Sequence, residues 1–241
     1  MNNPLVVGYK GEIGSFILNG LLRVMPKALN IWCVDINETE AETTHRIKLS
    51  DVIFLCVPLK DTLPWLIKNK LLLKDKIILE QTSLKSWTNH SVTQDLDVRH
   101  MHILFRPSQT PDFADRTVGL FKHEFSQTDH FDMIDIIRNI TQSKIIFFEN
   151  VQQHDMRMAV QQALLHRTIL VMGQLLRECE GSTYISKKVL ELEARIKKGN
   201  LDLYSAIQDN IFLPEALAAM REELANFDIK NYFDKDKTCC A

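Results

Sequence analysis

The chain has 241 residues, is 45% hydrophobic and 25% charged, and carries a formal net charge of −2. That length can bury one large core or two modest ones. The near-neutral charge excludes the basic field used for nucleic acid as well as any acidic tail. No apolar run approaches the roughly 20 residues of a membrane span, and no leader pattern opens the chain, so a cytoplasmic protein is expected. The five cysteines have neither zinc-ligand spacing nor a disulfide framework. No metal is expected, and the adjacent Cys239 and Cys240 read as incidental thiols of a tail.

In chain order, short β-rich runs alternate with helical stretches. Candidate strands are LVVG near residue 5, NIWCVDI from Asn30, DVIFLCVP from Asp51, KIILEQ from Lys76 and HMHILF from His100, then RTVGLF and KIIFF around the helical FDMIDIIRNITQ. Continuous apolar runs suit strands buried on both faces, and strand-helix alternation predicts a Rossmann-type doubly wound α/β sheet. After about Phe148 the texture changes. Val151 to Lys198 holds hardly a breaker, and PEALAAMREELANF opens on a proline suited to a helix start. The expected division is a dinucleotide-binding domain over 1–148 and an all-helical domain over 149–241. MAVQQALLHRTILVMGQLL is apolar on nearly every side, which predicts burial either against a second subunit, in a homodimer through these helices, or against the other C-terminal helices alone; the homodimer is the preferred reading.

Within the first domain, Gly8, Gly11 and Gly14 follow a strand and lead into an apolar helix beginning near Ile13, and Glu12 and Ile13 are expected with them among the cofactor contacts. Gly8 suits a tight turn, Gly11 a close approach to pyrophosphate, and Gly14 close packing of helix on strand. The helix N-terminus favours phosphate charge. Asp35, about 21 residues past Gly14, ends the second strand where an acid would bind ribose hydroxyls. An aspartate there repels a 2′-phosphate, so NAD is expected over NADP, and Arg46 is poorly placed to reverse this. Val57 and Pro58, closing the third strand, would border the cofactor.

Three later constellations carry chemistry. EQTSLKS puts Ser83 and Lys85 at the carboxyl end of the fourth strand, HILFRPSQTP puts His102 near the same edge, and QHDMRMAVQQALLH lies on the long helix. Asp155, Gln162 and His166 share a face of a regular helix, being within ~20° of whole turns at 3.6 residues per turn. Each also has a structural reading: a strand histidine, a helix cap, a helix–helix contact.

In combination these segments resemble the prephenate dehydrogenase family. The resemblance runs through GYKGEIG, SDVIFLCVPL, QTSLKS, HILFRP, HDMRMAVQQALLH and EARIKKGNLDLYSAIQDN, nearly the whole chain in order. It implies that His102 accepts the proton of the substrate hydroxyl and that Ser83 orients it. His166 would lie near the substrate and Arg195 would grip a carboxylate, with Gln162 and Arg106 as further substrate contacts. Lys85 and Arg167 are further cations available for a dianionic acid. The reaction implied is NAD-dependent oxidative decarboxylation of prephenate to 4-hydroxyphenylpyruvate, with arogenate as the nearest substrate variant. Ile103 and Arg106 depart from the family's proline and glycine, and Glu80 stands where an aspartate is common. These departures leave open another small-acid dehydrogenase or a silent NAD-binding paralogue.

Overall fold

In the computed structural model, residues 3–25, 30–88, 93–125, 131–179, 181–199 and 201–227 are described; Cys239 and Cys240 lie outside them. Among the described residues, seven strands form one sheet. They are β1 (Pro4–Val7), β2 (Trp32–Val34), β3 (Val52–Leu55), β4 (Ile77–Glu80), β5 (Asp97–Ile103), β6 (Thr117–Phe121) and β7 (Lys144–Phe148), in the order β2-β1-β3-β4-β5-β6-β7. All seven expected runs are strands.

Helices α1 (Glu12–Val24), α2 (Glu40–Leu49), α3 (Leu59–Asn69) and α4 (Phe131–Thr141) accompany the sheet. Alternate strand residues feed two separate apolar clusters. Val6, Phe54, Leu79 and Met101 belong to one, and Leu5, Val7, Ile53, Leu55 and Ile78 to the other. Both faces are therefore covered, which is why these strands read as unbroken apolar runs rather than alternating ones. The chain has a Rossmann-like α/β fold.

One strand breaks the parallel pattern. β6 pairs with β5 antiparallel, then β7 runs parallel to β6. The connection from Leu104 to Arg116 contains only 3₁₀ turns and no α-helix, and a parallel return normally uses a helical crossover.

Packing divides the chain into units Met1–Asp155 and Met156–Ala241. The division falls inside a helix, past the composition switch at Phe148. The first turn of α5 (Val151–Met158) belongs with the strands, because its His154 ring lies 4.9 Å from the Phe148 ring and 5.6 Å from the Phe121 ring. The second unit continues through a π-helical segment, Ala159–Leu164, into α6 (Leu165–Arg177), α7 (Tyr184–Lys197), α8 (Leu201–Gln208) and α9 (Leu213–Ala225). Ala163, Ile207 and Leu213 form its small core. The stretch read as unbroken does turn, between α6 and α7. Gly181 has φ +80°, and Thr183 with Ser186 makes a capping box that starts α7.

Candidate active site

The strand order reverses direction at β1, with β2 on one side and β3 on the other. In open α/β sheets a crevice forms at such a switch point, outside the carboxyl ends of the strands. Here the crevice is a cavity of about 470 Å³, lined by Gly8, Gly11, Asp35, Glu38, Val57, Pro58 and neighbouring residues that include Trp65.

The glycines are required there for different reasons. Gly8 has φ +80°, and a Cβ on it would stand 2.5 Å from the Cys56 carbonyl oxygen. A Cβ on Gly14 would stand 2.1 Å from the Gly8 oxygen, so helix α1 can start this close to β1 only without one. Gly11 is different. Its Cβ would meet only the Gly8 oxygen, at 3.3 Å, so neither severe packing nor a positive φ demands glycine at that position.

Asp35 immediately follows β2 at the cavity wall. Its Oδ2 accepts from the Lys10 amide at 2.9 Å and its Oδ1 from the Ile36 amide at 2.8 Å. Each carboxylate oxygen has more than one acceptor site, so capacity for ribose hydroxyls remains. Glu38 and Glu40 also line the cavity, adding negative charge. Arg46 donates to the Cys33 carbonyl and lies 3.9 Å from Glu38. The cradle of glycines, the acid at the strand end and the cavity volume together fit a dinucleotide.

Glu12 and Arg106 are brought together. Arg106 Nε donates to Glu12 Oε2 at 2.9 Å, and Ser108 donates to Glu12 Oε1 from its amide at 3.0 Å and its hydroxyl at 2.5 Å. Burial alone would raise the Glu12 carboxyl, but the Ser108 and Arg106 contacts hold it below the usual range. Arg106 thus ties the β5–β6 connection to the start of α1. Ile13, one residue on, packs against the core.

His102 sits near the carboxyl end of β5, 3% exposed. Its partner across the antiparallel pair is Gly119. A Cβ there would come within 2.4 Å of the Phe148 ring, so the missing side chain makes room for the ring that backs His154. His102 Nδ1 lies 2.9 Å from His154 Nε2, and His154 Nδ1 lies 2.7 Å from Asp155 Oδ1. Asp155 also accepts the amides of Lys85 and Ser86, each at 3.0 Å.

The ionisation states follow from these contacts. Burial would raise the Asp155 carboxyl, but hydrogen bonds from His154, Ser86 and Lys85 outweigh it and keep the group a carboxylate. Burial, then the neighbouring His154 and Lys85, push His102 well below its ordinary value of 6.5. Burial also lowers His154, against the pull of Asp155. Both rings are neutral at pH 7. A carboxylate only accepts, so His154 carries its proton on Nδ1 and presents a bare Nε2. His102 must then carry its own proton on Nδ1. Its Nε2 is left with a lone pair, the state a general base needs.

Ser83 lies half-buried in the loop after β4, but the residue bonded to His102 Nδ1 is His154. His154 was missed in the sequence as an orienting group, although the adjacent His-Asp pair at a helix start was the available signal. Lys85 is not a free cation: it is wholly buried and paired with Glu80 at 2.9 Å. Arg167 is bonded through Nε to Gln208 at 2.9 Å.

Gln162, His166 and Arg195 belong to the second unit. The shared helix face expected from Asp155 onward assumed 3.6 residues per turn, whereas Ala159–Leu164 is π-helical and Leu165 N–H reaches the Val160 carbonyl. The wider turn resets the facing. Such segments concentrate at functional sites. Among the described residues, Gln162 Oε1 and His166 Nδ1 are buried without a hydrogen-bond partner, which is uncommon for buried polar atoms. The His166 ring stands edge-on to Tyr204 at 4.9 Å, and burial lowers its basicity. Arg195 is exposed near the end of α7.

No protein-family model matches the chain, and no curated protein matches it. Solved structures do. An A. aeolicus prephenate dehydrogenase, in complex with hydroxyphenyl propionate and NAD+, is similar with a TM-score of 0.71 at 14% identity, covering 99% of this chain and 92% of that one. A structure from Corynebacterium glutamicum gives 0.74 at 14% identity, over 99% and 87%. A Plasmodium falciparum pyrroline carboxylate reductase with NADP bound gives 0.50 at 14% identity, over 98% and 92%. At these identities the likeness is one of fold: the chain has the fold seen in prephenate dehydrogenase structures. Among the described residues no helix is long and apolar enough to cross a membrane, and no group of three metal-ligating side chains occurs.

Proposed function

We propose that the protein is an NAD-dependent dehydrogenase acting on prephenate, converting it to 4-hydroxyphenylpyruvate and CO2. The observation that carries this reading is the Asp155–His154–His102 chain, ending in an unprotonated Nε2 on a strand parallel to those that form the cofactor cavity. The dinucleotide, when bound, supplies a hydride acceptor. Gly8, Gly11 and Gly14 would hold its pyrophosphate at the start of α1, and Asp35 its adenosine ribose, with Glu38 and Glu40 disfavouring a 2′-phosphate.

His102 Nε2 takes the proton of the ring hydroxyl as the carbon bearing it loses hydride. The hydroxyl becomes a carbonyl; the ring carboxylate then leaves as CO2, its bonding electrons complete the aromatic ring, and the former carbonyl oxygen takes the proton back from His102 to become the phenol. A neutral base suits this step, because a histidinium could not accept the proton. His166 and Gln162, with buried atoms left unpartnered, and the guanidinium of Arg195 are the proposed substrate contacts. Arginine suits a carboxylate because its planar fork can bond both oxygens.

The test is NADH formation with prephenate and with arogenate, each with NAD+ and with NADP+. The expected outcome is turnover on prephenate with a clear preference for NAD+. Absence of reduced cofactor with every combination would overturn the assignment.

We further infer that α6 forms a homodimer face, since Leu165, Val171 and Leu175 are each about half exposed, and that the protein works in the cytoplasm, where its free Cys33, Cys56 and Cys179 stay reduced. Sedimentation of the purified protein should give twice the chain mass of 27.9 kDa; a monomer at micromolar concentration would contradict the dimer.

A further inference from the structure

We propose that Lys85 is a positioning residue for the His102 base, fixing both ends of the Asp155–His154–His102 chain at once. The proposal rests on the reading of His102 as the base.

Lys85 is fully buried, which is rare for a lysine unless it is paired. Its Nζ donates to Glu80 Oε2 at 2.9 Å, to the Glu80 carbonyl at 3.2 Å and to the Met101 carbonyl at 2.9 Å. Three acceptors match the three N–H groups of an ammonium. No donor is left over for a substrate carboxylate, so a direct binding role is excluded by the geometry.

What this arrangement joins is specific. Met101 immediately precedes His102 on β5, so the ammonium grips the strand at the catalytic end. The backbone amides of Lys85 and Ser86 grip the two oxygens of Asp155, at the other end. Glu80 is itself fastened on the near side: Thr82 N–H donates to its Oε1, and Thr88 Oγ1 donates to its Oε2 at 3.2 Å. One residue therefore spans from the strand carrying the base to the carboxylate that sets its tautomer. A displacement of about 1 Å at a reacting group can cost on the order of a hundredfold in rate, so such a brace matters even without touching substrate.

The charge has a second effect on the same ring. The charged groups that act on the His102 ring are His154 on α5 and Lys85 itself, while Glu80 on β4, Glu124 after β6 and Asp155 on α5 act on Lys85. Burial is the main cause of the lowered His102 basicity, and the positive charge of Lys85 acts in the same direction. Removing that charge moves His102 back up.

The experiment uses the double variant Glu80→Gln/Lys85→Met, which removes both charges while keeping hydrogen-bonding capacity at position 80. Ring nitrogen NMR of His102, recorded against pH without substrate, is the first readout. The expected result is loss of the single Nδ1–H tautomer and titration at higher pH than in the wild type. The second readout is turnover, with kcat falling about 10–100-fold while KM stays within a few-fold, and the acid limb of the rate profile moving upward. A folded variant with the wild-type tautomer and titration overturns the proposal. Lys85→Met alone, in which Glu80 can take up a proton, is the second variant should the double one fail to fold. If the wild type turns over no substrate, the functional reading falls, and the ring NMR still decides the role of Lys85.

Discussion

Replacing His102 by asparagine should lower kcat by about 10²–10⁴-fold, the usual contribution of a positioned acid–base group. Asparagine keeps polarity and approximate size but cannot take up a proton at neutral pH. Affinity for NAD+ should hardly change, because the cavity of Gly8, Asp35 and Pro58 does not include residue 102. The pH dependence follows from the direction of the shift. His102 acts only when neutral, and its basicity lies well below the ordinary value of 6.5, so the base form persists as pH falls through 6.5. The acid limb of kcat/KM should accordingly lie well below pH 6.5. A His102→Asn variant with more than a tenth of wild-type turnover, or a wild-type acid limb at or above 6.5, would remove His102 from the mechanism. Asp155→Asn probes the same chain from its far end. An amide cannot offer acceptors to His154, Lys85 and Ser86 on both its atoms, so a large loss of kcat is expected there too.

Gly14→Ala and Gly11→Ala should separate what the glycine turn does for the fold from what it does for the cofactor. At Gly14 the new methyl would sit 2.1 Å from the Gly8 oxygen, a backbone atom that cannot swing aside. Overpacking of this kind costs about 1–3 kcal/mol, and relieving it distorts the turn that would hold pyrophosphate. Lower melting temperature and loss of NAD+ binding are expected together. At Gly11 the only close neighbour is the same oxygen at 3.3 Å, which asks for a shift of a few tenths of an ångström. That variant should melt near the wild type yet bind NAD+ at least about tenfold more weakly, because a methyl would stand where backbone must approach a phosphate. Equal losses of stability in the two variants would contradict this division. Unchanged NAD+ affinity at Gly11→Ala would place the dinucleotide elsewhere.

Much of the first unit was legible in the sequence because local chemistry decides it. Strands covered on both faces must be largely apolar, and LVV, VIFL and IIL are, with Glu80 the exception at the end of β4. Gly8 and Gly14 mark backbone that no side chain could occupy, and Asp35 falls where the second strand must end. The site beyond the cofactor cavity was less legible, since its contacts join distant segments. His154 meets His102 across 52 positions, and Arg106 meets Glu12 across 94. Spacing along a chain does not encode such pairs. Lys85 looked like an available cation, and only burial against Glu80 and Met101 shows its donors to be committed. The polar stripe from Asp155 to His166 depended on a regular helix, and the π-helical turn at Ala159–Leu164 interrupts that period. The reversal of β6 was hidden for another reason: RTVGLF is equally apolar in either direction.

The most direct measurement is the stoichiometry of the wild-type reaction, with prephenate limiting and NAD+ in excess. NADH is read by absorbance, with CO2 and the aromatic product quantified in the same sample. The account predicts one NADH and one CO2 for each 4-hydroxyphenylpyruvate formed, all abolished together in His102→Asn. Prephenate left unconsumed by a folded protein that binds NAD+, or NADH formed without matching CO2, would contradict it.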